Sequence, residues 1–207
     1  MFEKLRWLDC YLGFLAKLFG RNKENVNIAM CGLDNAGKTS ILRYLIRGEF
    51  SSTIATMGVN HEQFNFESLS MSVMDLGGQK AFRQFWSNYI KQANCLVFIV
   101  DSTDIVRMPL AREVFYKVIT HFCDPTIPVM ILATKQDLPG ACPVSYIFEI
   151  FQLNRLYGRT LHVQETSAKT GLGIYEAFHW IHDNLTREKS QKISSKLTSN
   201  LTSPKPG

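Results

Sequence analysis

Two glycines separated by four residues and followed by Lys38 and Thr39 stand in the stretch Gly32-Leu33-Asp34-Asn35-Ala36-Gly37-Lys38-Thr39-Ser40, the phosphate-loop pattern G-x-x-x-x-G-K-[ST]. Gly32 and Gly37 let the backbone fold close to a polyphosphate. The amides of Asp34, Asn35, Ala36, Gly37, Lys38, Thr39 and Ser40 then point inward as an anion nest at the start of a helix. Lys38 can reach the terminal phosphates, and the hydroxyl of Thr39 can bind Mg²⁺. A glycine turn can match this pattern by chance, but the context here is the one the motif needs. Val26 to Cys31 reads as an apolar strand, and Ser40 to Ile46 reads as a helix.

A phosphate loop by itself permits kinases, ATPases and GTPases. Four further stretches narrow the chemistry. Asp75-Leu76-Gly77-Gly78-Gln79 follows an apolar strand, where a carboxylate can hold a Mg²⁺-bound water, Gly78 can offer its amide to a γ-phosphate, and Gln79 can orient an attacking water. Thr53 to Gly58 lies in the loop after the first helix of the domain, and Thr56 can supply a second hydroxyl to the metal. Thr134-Lys135-Gln136-Asp137 follows a buried strand, and the Asp137 carboxylate can accept two hydrogen bonds from the N1 and N2 edge of guanine, which adenine lacks. Thr166-Ser167-Ala168-Lys169 ends the last strand, where a backbone amide can meet the guanine carbonyl.

The elements that must position these residues alternate along the chain. Apolar runs predict strands at 26–31, 59–66, 70–75, 95–100, 127–133 and 161–165, and helical periodicity predicts helices at 38–47, 80–91, 110–122, 144–152 and 173–185. Strands separated by helices imply right-handed crossovers and an open α/β sheet with helices on both faces. The strands 59–66 and 70–75 are joined only by Glu67-Ser68-Leu69, so that pair is antiparallel at the edge of a six-stranded, mostly parallel sheet. Ligands of such sheets sit at the carboxyl ends of the strands. The phosphate loop, Asp75, Asp101 and Thr134 to Asp137 all fall there.

Composition bounds the rest. The 207 residues, 45% hydrophobic and 20% charged, make one ordinary globular domain with short extensions. Five cysteines without paired spacing fit reduced thiols better than a disulfide framework. His179 and His182 read as ordinary helix residues. The net charge of +5 sits at the ends: residues 1–24 carry five basic and three acidic side chains, residues 186–207 five basic against Glu188, and 25–185 are left at −1. That distribution argues against nucleic acid as the partner and for ends that meet an anionic surface.

On a helical wheel, residues 1–19 gather Leu5, Trp7, Leu8, Tyr11, Leu12, Phe14, Leu15, Leu18 and Phe19 within roughly half the circumference. This segment is too charged to span a bilayer and lacks the basic start and cleavage site of a signal peptide. It reads as an amphipathic helix that lies in a membrane interface or docks on the domain itself. A polar linker follows at 20–25, then the domain at 26–185. A basic Ser/Thr/Lys-rich tail at 186–207 reads as disordered, and it carries no terminal cysteine for prenylation.

Taken in order, these stretches resemble the Ras-like small GTPases and, within them, the Arf/Arl (Arf-like) family. Gly-Leu-Asp-Asn-Ala-Gly-Lys-Thr at 32–39, Asp-Leu-Gly-Gly-Gln at 75–79 and Thr-Lys-Gln-Asp-Leu-Pro at 134–139 are similar to that family's signatures, as is the amphipathic segment ahead of the first strand. The resemblance covers about residues 2–185 and implies a P-loop NTPase fold of the small G-domain kind. It implies that Lys38 contacts the β- and γ-phosphates, and that Thr39 and Thr56 ligate Mg²⁺ while Asp75 holds it through water. Gly78 senses the γ-phosphate, Gln79 positions the hydrolytic water, Lys135 stacks along the base, Asp137 reads guanine and Ala168 gives its amide. The implied activity is slow GTP hydrolysis in a GTP/GDP switch that recruits effectors to an intracellular membrane in trafficking. The implied partners are an exchange factor, a GTPase-activating protein, effectors meeting residues 53–90 and a membrane surface; the protein is expected to be a cytoplasmic monomer that cycles to membranes.

Departures from the family pattern are as specific. Residue 2 is Phe2 where Arf proteins carry the glycine that is myristoylated. Thr134 stands where most of the family has Asn, keeping a hydroxyl but losing an amide. The positions of the family's aromatic effector triad are Val59, Met74 and Tyr89, only one of them aromatic. The first switch holds no evident arginine, so hydrolysis is expected to depend on one from a partner, an effect of about 10³–10⁵ in rate. Two other readings remain at this point: a GTP-binding interaction module with negligible hydrolysis, and a nucleotide or small-molecule kinase, which leaves 75–79 and 135–137 unexplained.

Overall fold

The structure is a computed structural model that describes residues 23–51 and 53–201, with side chains described as far as Arg187. The amphipathic segment at 1–19 and the last residues of the tail lie outside the described residues.

Among the described residues six strands are formed: β1 (Glu24–Gly32), β2 (Val59–Phe66), β3 (Leu69–Leu76), β4 (Cys95–Asp101), β5 (Val129–Thr134) and β6 (Leu161–Glu165). The helices are α1 (Lys38–Arg47), α2 (Trp86–Ile90), α3 (Met108–His121), α4 (Val144–Ile150) and α5 (Ile174–Leu201). The sheet order is β2-β3-β1-β4-β5-β6, parallel throughout except for the antiparallel β2–β3 pair at one edge, as expected. Strands β4 and β5 are buried along their whole length. That is why their sequences read as continuous apolar runs rather than as alternation.

Because successive strand side chains point to opposite faces, each central strand feeds two cores. Ala29, Cys31, Leu96, Phe98 and Ile131 face Trp86, Phe115 and Phe151 on the side of α2, α3 and α4. Ile28, Met30, Val97, Ile99 and Leu132 face Ile41 and Leu42 of α1 and Phe178 and Ile181 of α5 on the other. Four described cysteines, Cys31, Cys95, Cys123 and Cys142, are free and buried. Among the described residues no helix is long and apolar enough to cross a membrane.

Two expectations are corrected. The helix expected at 80–91 is a 3₁₀ helix over Lys80–Phe85 followed by α2; none of the 3₁₀ residues is buried, so no packed face holds them in α geometry. The tail expected to be disordered from 186 continues as helix to Leu201. From Ile174 to Leu201 there is neither glycine nor proline, so a helix nucleated on the core propagates one hydrogen bond per residue.

His179 and His182 lie on α5 as read, and the structure gives them a partner. Glu67 takes positive φ at the β2–β3 turn, and its carboxylate lies between His179 Nδ1 at 2.8 Å and His182 Nδ1 at 3.0 Å. Ser68 Oγ and His182 Nε2 are 2.8 Å apart. Phe64 and Phe66 add ring contacts to Phe178, each with centroids 6.2 Å apart. The hairpin tip is thus fastened to α5, and with it the register that pairs Leu69 with Glu24 and Asp75 with Met30. Phe178→Ala is expected to cost about 3–5 kcal/mol, because it empties the core beneath that fastening; chemical denaturation of the parent and variant measures it.

Candidate nucleotide-binding site

The carboxyl ends of β1, β3 and β5 open into a cleft of about 630 Å³. At one end the chain leaves β1, turns at Gly37 with φ 91° and enters α1, a conformation that glycine adopts without strain. Asp34, Asn35, Gly37, Lys38, Thr39 and Ser40 line the cleft there, and Ala36 stands behind them. Lys38 is 6% exposed, and its Nζ donates to the carbonyls of Leu33 at 2.8 Å and Gly32 at 3.3 Å. Burial pushes its pKa down, while the Asp75 charge pulls it back up.

Asp75, at the end of β3, has no solvent exposure. Thr39 Oγ1 donates to its Oδ2 at 2.5 Å and Thr56 Oγ1 at 3.3 Å, and the two hydroxyl oxygens are 2.9 Å apart. Burial raises the carboxyl pKa; the hydrogen bond from Thr39 and the charge of Lys38 oppose that rise. Asp75 Oδ1 is buried and has no hydrogen-bond partner among the described residues. Two hydroxyls and a carboxylate with a spare buried oxygen are a hard, oxygen-only donor set, which suits Mg²⁺. The residues expected to hold that ion therefore fit it.

The loop from 53 to 58 is tied down at both ends. Gly77 donates its amide to Gly58 O at 2.8 Å, and Thr53 Oγ1 is 3.4 Å from Ser40 Oγ. The peptides after Asp75 are oriented by two side chains: Trp86 Nε1 donates to Gly77 O at 3.0 Å and Arg83 Nε to Gly78 O at 2.9 Å. A Cβ on Gly78 would run into the backbone of Leu33 and Asp34, so only glycine can bring this segment against the phosphate loop. Gln79 follows in extended conformation and lines the cleft beside Thr56 and Gly78.

At the other end, Thr134 Oγ1 donates towards Ala36 O at 2.7 Å and Val100 O at 3.1 Å. Lys135, with φ 63°, pairs through Nζ with Asp101 at 2.6 Å. Ser167 Oγ donates to Asp137 Oδ1 at 2.6 Å and accepts the amides of Lys169 and Thr170, each at 3.2 Å. Asp137, Ala168 and Lys169 line the cleft while Ser167 sits fully buried behind Asp137.

Every candidate site residue is thus in the cleft or in the layer supporting it. Sequence reasoning missed Arg83 and Arg107, which approach Asp34 at 3.8 and 3.1 Å, and the role of Trp86. It also missed Phe50 and Ile54, which wall the cleft. No spacing rule links Arg107 to Asp34, seventy-three positions away. Met74 belongs to the buried core against which Val59 and Tyr89 both pack, and the His61 ring stands edge-on to Tyr89 at 6.1 Å.

A phosphate loop opening α1, a γ-side segment after β3 and a carboxylate behind β5 define a small G domain of the P-loop class. Residues 11–185 match the model of the ADP-ribosylation factor (Arf) family. ADP-ribosylation factor 3 of Arabidopsis thaliana is 37% identical over 170 residues, 82% of this chain and 92% of that protein. ADP-ribosylation factor 1 of Brassica rapa subsp. pekinensis matches with the same figures. The structure of the Arl6 (BBS3) small GTPase from Trypanosoma brucei, with bound nucleotide analogue GppNp, superposes with a TM-score of 0.72 at 29% identity, covering 79% of this chain and 98% of that one. The chain belongs to the Arf family of small GTPases, GTP-binding switches of intracellular traffic.

Proposed function

We propose that this chain binds Mg²⁺-GTP in the cleft, hydrolyses it slowly and recruits effectors at a membrane while GTP is bound. One observation carries the reading: the hydroxyls of Thr39 and Thr56 meet on the buried Asp75 carboxylate, whose other oxygen has no partner among the described residues. Thr39 and Thr56 would ligate the ion directly and Asp75 through water. The chemistry such an ion would supply there is neutralisation of phosphate charge.

The remaining roles belong to the chain itself. Lys38 exchanges its two carbonyl acceptors for phosphate oxygens, at little cost because its ammonium is already desolvated. Gly78 presents its amide to the γ-phosphate, on a peptide whose plane Trp86 holds through Gly77 O. Gln79 orients the attacking water. An arginine supplied by a partner completes the charge compensation, since none stands in the first switch. Asp137, steadied by Ser167, accepts from the guanine N1 and N2 edge, Lys135 lies along the base, and Ala168 donates its amide.

Switching rests on β2–β3. A slide of that hairpin by two residues along β1 keeps every side chain on its own face while moving Asp75 relative to Thr39 and the tip relative to α5. The N-terminal amphipathic segment is the element such a slide exposes to a bilayer. Effectors then meet residues 53–90, where Val59, Met74 and Tyr89 stand at the positions of the family's aromatic triad and only Tyr89 is aromatic.

Asp75→Asn is expected to make nucleotide release nearly indifferent to EDTA, whereas chelation should speed release from the parent by about 10–100-fold; equal EDTA responses would refute the metal assignment. Gln79→Leu is expected to slow single-turnover GTP hydrolysis in the presence of an activating protein by about 100-fold or more. An unchanged rate removes Gln79 from catalysis, and a parent protein with no measurable turnover favours a module that only binds. Vesicle co-sedimentation is expected to rise with a non-hydrolysable GTP analogue and to fall when Trp7 and Leu8 become polar; equal binding in both nucleotide states breaks the coupling.

A further inference from the structure

The base end of the cleft contains a hydroxyl whose chemistry is already spoken for. Thr134 ends β5, is 2% exposed, and lines the cleft between the phosphate loop and Asp137. Its Oγ1 lies 2.7 Å from Ala36 O and 3.1 Å from Val100 O. Both are carbonyl oxygens, so each can only accept. A hydroxyl has one proton, and in either arrangement that proton points at a backbone carbonyl. What Thr134 leaves towards the cleft is lone pairs.

A purine base offers N7 as an acceptor, and guanine adds the O6 acceptor beside it. Lone pairs meeting lone pairs form no hydrogen bond. Lys135 Nζ is drawn to Asp101 at 2.6 Å, and the amides of Lys169 and Thr170 are spent on Ser167 Oγ, which leaves the Ala168 amide as the backbone donor for guanine O6. The geometry therefore points to a division of labour, which rests on the guanine-nucleotide reading of this cleft. Thr134 is a positioning residue that tethers the phosphate loop, through Ala36, to the end of β4, through Val100. We propose that the site reads guanine through Asp137 and the Ala168 amide and leaves N7 unread.

The tether has its own geometric support. Thr134 Oγ1 lies 3.9 Å from where a Cβ on Gly37 would stand, so the hydroxyl packs directly under the turn that starts α1. Removing the hydroxyl should loosen that turn and weaken the hold on phosphate for every nucleotide alike. It should not change which base is preferred.

The experiment is a set of competition titrations on the full chain with GDP, 7-deaza-GDP (N7 replaced by C–H) and IDP (no 2-amino group). For the parent protein, 7-deaza-GDP is expected to bind within about threefold of GDP, and IDP about tenfold or more weaker than GDP. A loss of more than about threefold with 7-deaza-GDP overturns the inference, since a donor at N7 is then in use. If IDP binds as well as GDP, it is the assignment of Asp137 that fails, a result separable from the first. In Thr134→Val, which keeps shape and removes the hydroxyl, affinities for GDP and 7-deaza-GDP are expected to fall together, leaving their ratio unchanged. A selective fall for GDP shows that the hydroxyl served the base and also overturns the inference.

Discussion

Asp75 is a carboxylate with no exposure to water, placed where β3 ends and held by two hydroxyls that come from different parts of the chain. Burying such a group is costly unless its oxygens are satisfied, and the protein satisfies only one of them. Much of the architecture around it follows from that imbalance. Thr39 must start α1 directly behind the phosphate loop, the loop at 53–58 must fold in so that Thr56 reaches the same oxygen, and Lys38 must be buried close enough for its charge to oppose protonation of the carboxyl. Lys38 is itself disfavoured as a cation by its burial. Two groups that each resist charge are held close together, which is a strained arrangement for an empty domain and a preorganised one for a metal and a polyphosphate.

The position of Asp75 is also a matter of strand register. It lies on the same strand whose hairpin tip is fastened to α5 through Glu67, His179, His182 and Ser68. The polar contacts at that tip are partly exposed and contribute little in isolation; the buried Phe66 and Phe178 beneath them contribute more. Together they connect α5 to the strand that carries Asp75, with no described side chain of that helix lining the cleft. A hairpin that is held at its tip and read out at its far end is a sound mechanical basis for a switch, because the two-residue periodicity of a strand permits discrete registers and forbids intermediate ones.

At the opposite end of the cleft the same economy of hydrogen bonds limits what each group can offer a ligand. Asp137 keeps one oxygen engaged by Ser167 and the other available, so it can discriminate by accepting. Thr134 has one proton and two carbonyls competing for it, so it can only support. The difference lies not in polarity but in the count of donors and acceptors at each position.

Most of the fold was legible in the sequence, because the strands are buried on one or both faces and the helices carry a 3.6-residue apolar repeat; both are local patterns. The phosphate loop, Asp75 to Gln79 and Thr134 to Asp137 were legible for the same reason: each is a contiguous stretch whose backbone conformation its own glycines and strand ends impose. The helix over Lys80–Phe85 was misjudged because none of its residues is buried in a core, and the tail was misjudged because polar composition does not by itself stop a helix that a core has already nucleated. What only the tertiary structure decided are relations across the chain: Arg107 on Asp34, two histidines on Glu67, Trp86 on Gly77, and the Thr134 hydroxyl on Ala36. A sequence states which donors and acceptors exist and where the backbone can turn; which donor meets which acceptor depends on distances set by the whole packed sheet, and those are not written in any local stretch of it.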